Sequence, residues 1–189
     1  MNLKIVVVGS LETNCYILER DEEVLIIDPG DEANKIIENI TGKVVGIIVT
    51  HYHFDHVGAL ESVKNYYHTK VYDFSNLKKN NNIGAFTFEV IPTPGHTHDS
   101  ISIYFKDLNV MFVGDFIFYG SIGRTDLGGN KIDMKKSIET ILSYDDSIKL
   151  YPGHYKTTTI GFERPNLIEF LKMLWYNWLV LRIQPNWNK

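Results

Sequence analysis

The sequence is poor in the features that define several common classes of protein. Its only cysteine, Cys15, excludes an intramolecular disulfide and a zinc site built from several cysteines. No apolar stretch reaches the roughly 18 residues of a membrane-spanning helix, and residues 1–8 lack the pattern of a signal peptide. The 19 Lys and Arg against 23 Asp and Glu leave a net charge of −4, which argues against a nucleic-acid surface. We therefore expect a cytoplasmic protein that binds neither nucleic acid nor membrane.

The 189 residues, of which 44% are hydrophobic, suffice for one domain with a sizeable core. Short apolar runs alternate with a few helical patterns, and no segment repeats. Many short strands with helices between them predict two packed β-sheets with helices outside, an αββα sandwich. We expect residues 1–189 to form a single domain that ends in an aromatic C-terminal helix over residues 165–183.

The apolar periodicity predicts the individual elements. Strands are expected over residues 3–8, 14–19, 24–28, 44–49, 70–72, 86–91, 101–105, 110–113 and 148–151. The second and third of these flank the charged residues 20–22 and predict an antiparallel hairpin. Helices are expected over residues 32–39, 57–67 and 134–143 as well as at the C-terminus. Residues 75–82 have turn composition and no apolar period, so we expect a loop there.

Four residues able to bind a metal ion lie within six positions, directly after the strand predicted over residues 44–49. They are His51, His53, Asp55 and His56. Because alternate residues of an extended chain point the same way, His51 and His53 project to one side. Imidazole nitrogen and carboxylate oxygen suit zinc and, to a lesser degree, iron or manganese. The segment therefore predicts a metal site rather than a solvated loop.

Three further candidate ligands follow other predicted strands. His96 follows residues 86–91, Asp115 follows residues 110–113, and His154 follows residues 148–151. A glycine directly precedes each of the three, which allows the backbone to turn sharply or approach closely. Five of the seven histidines thus lie at strand ends. The other two, His68 and His98, are expected in solvent. Four strand ends with ligand-type residues predict one metal centre.

The order of these motifs resembles the metallo-β-lactamase superfamily, and within it a short form of the glyoxalase II-like, hydroxyacylglutathione hydrolase-like branch. The resemblance is carried by THYHFDH at 50–56, TPGHT at 93–97, FVGD at 112–115, GRTDL at 123–127 and PGH at 152–154, and it spans roughly residues 3–167. It implies an αββα sandwich of two mixed sheets. It also implies two divalent metal ions, most commonly Zn²⁺, with iron or manganese as alternatives.

The resemblance assigns the seven ligand-type residues to two metal ions. His51, His53 and His96 would hold one ion, Asp55, His56 and His154 the other, and Asp115 would bridge both. Asp55 and Asp115 are the predicted catalytic carboxylates, with Asp55 also holding a bridging hydroxide in line. Asp28 is the predicted acceptor for a ligand imidazole. Its place at a strand end before Pro29 fits an Asx-turn almost equally well.

The implied function is hydrolysis of a small thioester by a hydroxide that bridges two metal ions. A bound divalent ion lowers the pKa of water from 15.7 towards about 7, and a thiolate leaving group suits zinc. The alternatives are a mononuclear iron persulfide dioxygenase, a di-iron protein, a lactone, β-lactam or phosphodiester hydrolase of the same fold, and a metal-binding module without catalysis. A bridging carboxylate at Asp115 counts against the β-lactamases, which usually lack one.

The substrate contacts are less defined by the sequence. Arg124, Tyr155 and Lys156 are the candidates, although Arg124 fits a loop-ordering ion pair with Asp126 equally well. The 35 residues after His154 (189 − 154) are too few for the helical domain with which full-length glyoxalase II enzymes bind glutathione. The use of glutathione therefore stays open. The apolar residues 170–181 predict either a buried helix or a homo-oligomer through the C-terminal aromatic helix.

Overall fold

The computed structural model describes the backbone of residues 2–182 and the side chains of residues 2–173. The strands in chain order are β1 (Asn2–Val8), β2 (Thr13–Arg20), β3 (Glu23–Ile27), β4 (Lys43–Ile48), β5 (Val71–Tyr72), β6 (Asn80–Ile83), β7 (Phe86–Pro92), β8 (Ile101–Phe105), β9 (Val110–Gly114), β10 (Ile117–Phe118), β11 (Ser121–Ile122), β12 (Lys149–Pro152) and β13 (Thr158–Thr159). The helices are α1 (Ala33–Glu38), α2 (Phe54–Val57), α3 (Leu60–Tyr67), α4 (Lys131–Ile141) and α5 (Ile160–Arg182).

Both large sheets are mixed. The first has the order β1-β2-β3-β4-β5, with antiparallel pairing from β1 to β3 and parallel pairing from β3 to β5. The second has the order β13-β12-β9-β8-β7-β6, in which β12 and β9 are parallel and the other pairs antiparallel. Strands β10 and β11 pair with each other in a small separate hairpin.

Three apolar layers hold the sheets and helices together. The central layer lies between the two sheets and includes Leu25 of β3 and Phe112 of β9. A second layer packs α1 and α3 on the first sheet, through Ile36 and Val63. A third packs α4 and α5 on the second sheet, with Ile138 at its centre. Full burial of each such side chain contributes about 1.5–3 kcal/mol. The predicted αββα sandwich is confirmed.

The β2–β3 hairpin is confirmed, and its turn shows why a charged pair can form it. Asp21 and Glu22 have φ angles of 51° and 64°, as the loop of a tight two-residue hairpin requires. The predicted loop over residues 75–82 is wrong at its end, because β6 pairs with β7 as an edge strand. Ile83 is the buried residue of β6, and the backbone pairing with β7 holds the rest of the strand.

Two predicted helix starts are too late. Helix α4 begins at Lys131 rather than 134, because the Asn130 side chain accepts a hydrogen bond of 2.8 Å from the Asp133 N–H. Helix α5 covers Ile160–Arg182 rather than 165–183, and the Thr159 hydroxyl accepts from the Phe162 N–H at 3.1 Å. Pro165 therefore lies inside the helix.

The prediction for the aromatic segment of residues 170–181 falls mostly on side chains outside the described residues 2–173. Among the helices of the described residues, none has the length and apolar character required to cross a membrane.

Candidate metal centre

The seven predicted ligands meet at one end of the sandwich, where four strands stop. Strand β4 ends at Ile48, and the chain then passes through His51 and His53 into the short helix α2. Strands β7, β9 and β12 end shortly before the other three ligands, namely His96, Asp115 and His154. The structure therefore brings together all the residues for which a ligand role is predicted, and it divides them into two adjoining groups.

The first group contains three imidazoles and one carboxylate, from His51, His53, His96 and Asp115. Their donor atoms all lie within 4.8 Å of one another. His53 Nδ1 is 3.1 Å from His51 Nε2 and 2.8 Å from His96 Nε2. Such a spacing of nitrogen and oxygen atoms fits a single divalent ion with mixed imidazole and carboxylate ligands.

The second group is formed by Asp55, His56 and His154, whose donor atoms also lie within 4.8 Å of one another. Asp55 Oδ2 is 3.1 Å from His154 Nε2 and 3.7 Å from His56 Nε2. The Thr13 hydroxyl donates a hydrogen bond of 3.0 Å to the same Asp55 oxygen. Two imidazoles and a held carboxylate can bind a second ion.

The Asp115 carboxylate reaches both groups. Its Oδ1 lies 3.2 Å from His56 Nε2, and its Oδ2 lies 3.4 Å from His154 Nε2 and 3.6 Å from His96 Nε2. Asp115 therefore stands between the two groups, in the position that a bridging carboxylate would need.

Two unpaired buried atoms show that the cluster fits a cation. Among the described residues, His56 Nε2 and Asp115 Oδ1 are the buried side-chain atoms without a hydrogen-bond partner. A buried polar atom left unpaired costs about 1–3 kcal/mol, so such atoms in a native protein call for an explanation. Both atoms face the donor cluster, and a metal ion bound there satisfies both.

The charges in the cluster keep its carboxylates ionised. Burial opposes ionisation of Asp115 and Asp55, but His154 and His56 outweigh it and hold the pKa of both carboxyls well below the usual range. Burial likewise opposes charging of His56 and His154, but the neighbouring carboxylates raise the pKa of His56 to about 10 and that of His154 to about 9. Burial lowers the pKa of His51 well below its usual value.

Every ligand imidazole has an oxygen beside its second ring nitrogen. The five contacts are Thr50 Oγ1 with His51 Nδ1 at 3.2 Å, the Leu127 carbonyl with His53 Nε2 at 2.9 Å, Asp28 Oδ2 with His56 Nδ1 at 2.9 Å, the Arg124 carbonyl with His96 Nδ1 at 2.7 Å, and the Leu11 carbonyl with His154 Nδ1 at 3.0 Å. When the outer nitrogen donates to such an acceptor, the inner nitrogen presents its lone pair to the cluster. The tautomer of each ring is thereby set for metal binding.

Asp28 occupies the position that the sequence predicts for an outer acceptor. It is buried and accepts from the Thr50 N–H at 2.7 Å, the Thr50 hydroxyl at 2.6 Å and His56 Nδ1 at 2.9 Å. Its φ of 52° is uncommon for a residue with a side chain. The segment after Asp28 packs closely against α2, because a Cβ on Gly30 would lie 1.9 Å from the Asp55 carbonyl oxygen.

Several of these contributors carry no signal in the sequence. The carbonyls of Leu11, Arg124 and Leu127 act through the backbone, which any residue type supplies. Thr13 and Thr50 are threonines next to strand ends, and such residues are common in proteins. Their roles depend on which distant segment the fold brings beside them.

The three candidate substrate residues lie outside the two donor groups. The Arg124 guanidinium makes two contacts with the Asp126 carboxylate, at 3.0 and 2.8 Å, which is the loop-ordering pair. The Lys156 ammonium is 3.6 Å from the centre of the Tyr119 ring. Tyr155 is exposed beside His154. His68 and His98 are also exposed, as expected.

A mixed αββα sandwich with two adjoining groups of His and Asp at one end defines a class of metal-dependent hydrolases. The chain belongs to the metallo-beta-lactamase superfamily, because the model of that family matches residues 8–80 and 65–154. The resemblance in the sequence motifs is thus confirmed, and with it the family's use of divalent metal ions.

Known proteins resemble the chain over most of its length. It is 34% identical to the probable metallo-hydrolase YqgX of Bacillus subtilis, over 83% of this chain and 92% of that protein. It is 32% identical to the hydroxyacylglutathione hydrolase GloC of Haemophilus influenzae, over 87% and 95%. A crystal structure described as the BLEG-1 B3 metallo-beta-lactamase is 33% identical and superposes with a TM-score of 0.80, over 87% and 97%.

Proposed function

We propose that the protein hydrolyses a small thioester, in the manner of a hydroxyacylglutathione hydrolase, with two divalent metal ions. The observation that carries the proposal is the contact of the Asp115 carboxylate with imidazoles of both donor groups, at 3.2 to 3.6 Å. A carboxylate in that position joins the two groups into one centre. The similarity to GloC of Haemophilus influenzae supports a thioester as the substrate.

When bound, two such ions supply polarisation of the substrate carbonyl and activation of water at neutral pH. The residues of the chain would bind the two ions and orient the attacking water. Asp55 is ionised at neutral pH, because its pKa lies well below the usual range, and Thr13 holds its Oδ2. Asp55 can therefore accept a hydrogen bond from the attacking water and orient it. Attack of this water on the acyl carbon breaks the C–S bond and yields a carboxylate, a thiol and one proton that is released to solvent.

The ligand atoms favour zinc as the metal, since five imidazoles and two carboxylates supply nitrogen and oxygen without a thiolate. Iron and manganese accept the same ligands, so availability in the cell decides between them. The outer contacts on the imidazoles serve all three metals alike, because each requires the neutral ring with its lone pair facing inward.

Hydrolysis of a β-lactam is the second candidate, and the similarity to BLEG-1 favours it. Both reactions open an acyl bond with the same activated water. The position of Asp115 between the two groups favours the thioester, because β-lactamases usually lack a bridging carboxylate at this place. A direct comparison of substrates separates the two candidates.

The test combines elemental analysis of the purified protein with turnover of S-lactoylglutathione, simple acyl thioesters, a penicillin and a lactone. We expect about two metal ions per chain, thioester hydrolysis that stops on chelation, and recovery on addition of Zn²⁺. Faster turnover of the penicillin than of every thioester would favour the second candidate. About one iron per chain, with oxidation of a persulfide to sulfite, would replace both candidates by an iron dioxygenase.

A further inference from the structure

Tyr155, the residue after the ligand His154, has a backbone conformation that glycine favours. Its φ is 64°, in the left-handed region that residues with a Cβ rarely adopt. The side chain of Asn14, itself buried, imposes this conformation by donating to the carbonyls of Tyr155 at 2.9 Å and Pro152 at 3.0 Å. A bulky residue at this position is therefore unfavourable for the backbone.

Burial does not compensate for this strain. The Tyr155 side chain is 73% exposed, so its ring contributes little to the stability of the fold. Strained residues that add little to the core are concentrated at functional sites. The ring instead stands edge-on to Phe118, with 5.7 Å between the ring centres, and Phe118 in turn lies 6.0 Å from the ring of His154. We call Phe118 and Tyr155 the aromatic wall.

The fold holds the aromatic wall in place beside the donor cluster. Phe118 ends strand β10, and the turn after it is tied down by the buried carboxylate of Glu163. Both oxygens of Glu163 accept from the Gly120 N–H, at 3.1 and 3.0 Å, and one also accepts from the Thr158 hydroxyl at 2.6 Å. The segment that carries Phe118 is thus held next to His154, and Tyr155 contacts Phe118 there through its ring edge.

The two cationic candidate substrate residues are engaged by other side chains. The Lys156 ammonium lies over the Tyr119 ring, and Arg124 pairs with Asp126 through two contacts. Lys156 and Arg124 are two of the three candidate substrate residues that the sequence predicts. The rings of Phe118 and Tyr155 lie 6.0 and 6.2 Å from the ring of His154, so they offer aromatic surface beside this ligand.

We propose that the aromatic wall binds an apolar group of the substrate, aromatic or branched aliphatic, and that Tyr155 determines specificity for it. The inference depends on the proposed function, because it places the substrate's reacting bond at the donor cluster. The apolar group can belong to the acyl half or to the thiol half of a thioester. Both sources share the same chemistry, and the substrates chosen for the test distinguish them.

The first test measures kcat/KM for four thioesters with the Tyr155→Gly variant, which removes the ring and relieves the backbone. Two substrates carry a phenyl group, one on the acyl half and one on the thiol half, and two are their methyl counterparts. We expect a loss of about tenfold for the phenyl substrate that uses the wall and less than about twofold for the methyl substrates. The control is Tyr66→Ala, at an exposed tyrosine of α3, and it should leave kcat/KM unchanged for all four substrates. An equal loss for all four substrates, or no loss, would overturn the proposal.

The second test separates this inference from the proposed function. Non-hydrolysable thioether analogues of the two phenyl substrates are titrated into wild-type protein and the Tyr155→Gly variant, with metal content measured in each. If the variant binds an analogue about tenfold more weakly than the wild type at equal metal content, the aromatic wall binds the phenyl group. This result would hold even if the protein hydrolysed no thioester. Equal affinity in the two proteins, or no binding to the wild type, contradicts it.

Discussion

The His56 ring lies between two carboxylates that have different tasks. Its Nδ1 is 2.9 Å from Asp28 Oδ2, and its Nε2 is 3.2 Å from Asp115 Oδ1. The contact with Asp28 orients the ring, and a metal ion bound at Nε2 would also be within reach of Asp115. All three groups are buried, so the loss of either carboxylate would leave a polar group of His56 without its partner in the interior.

Asp28→Asn tests the outer contact. The amide keeps the shape of the carboxylate but loses the charge that orients His56, so we expect the affinity of the second metal to fall by about 10- to 100-fold. Chelator competition measures the affinity, and circular dichroism checks the fold. Glu61→Gln, at an exposed carboxylate of α3, serves as control. Unchanged affinity in Asp28→Asn would show that the contact is structural only.

Asp115→Ala and His56→Ala test the two-metal centre. Each removes a ligand for the second ion, so we expect about one metal ion per chain and loss of hydrolysis, with the fold retained. Elemental analysis and a thioester assay measure the two effects on the same preparation. Near-wild-type turnover in both variants, with one metal lost, would refute the binuclear mechanism.

Thr13→Val tests how Asp55 is held. Valine matches the shape of threonine but removes the hydroxyl that donates to Asp55 Oδ2 at 3.0 Å. A hydrogen bond to a charged group contributes about 1.5–3 kcal/mol, so we expect kcat to fall by roughly tenfold or more while KM changes little. Steady-state kinetics give both constants. Thr87→Val, at an exposed position of β7, is the matched control. A kcat equal to that of the control would exclude a role for Thr13 in catalysis.

The Tyr52–Asp73 hydrogen bond predicts a pH dependence of stability. The Tyr52 hydroxyl donates to Asp73 Oδ2 at 2.5 Å. Burial and this carboxylate raise the pKa of Tyr52 to about 12, whereas hydrogen bonds from Ser75 and Tyr52 lower the pKa of Asp73 against the effect of burial. A raised tyrosine pKa stabilises the fold below about pH 10 and ceases to do so as the pH rises through about 12. A lowered aspartate pKa stabilises it above about pH 4 and ceases to do so in more acidic solution.

Tyr52→Phe should therefore lower the free energy of unfolding by about 0.5–1 kcal/mol at pH 7, where the exposed position of the pair reduces its contribution. Denaturant titrations at pH 7 and in acid measure the difference, which should shrink in acid as Asp73 becomes protonated. Tyr66→Phe provides the control. A difference that stays constant between the two pH values would show that Asp73 is not the partner that matters.

The sequence predicts the ligands because they lie at or soon after the ends of recognisable strands. The strand ending at Ile48 is recognisable as an apolar run, and its extended continuation puts His51 and His53 on one side. The sequence does not predict strand β6, because its three asparagines pair only through the backbone with the edge of β7. Nor does it place the start of α5, where a threonine cap rather than Pro165 begins the helix.

The sequence alone determined the chemistry of the centre, since imidazoles and carboxylates after strand ends are local facts about neighbouring residues. Only the tertiary structure decided how these donors divide into two groups and which oxygen meets each outer nitrogen. The Leu11 carbonyl and His154, for example, are 143 residues apart in the chain yet lie 3.0 Å from each other. A peptide carbonyl is the same in every residue, so nothing in the sequence marks it as an acceptor until the fold brings the imidazole beside it.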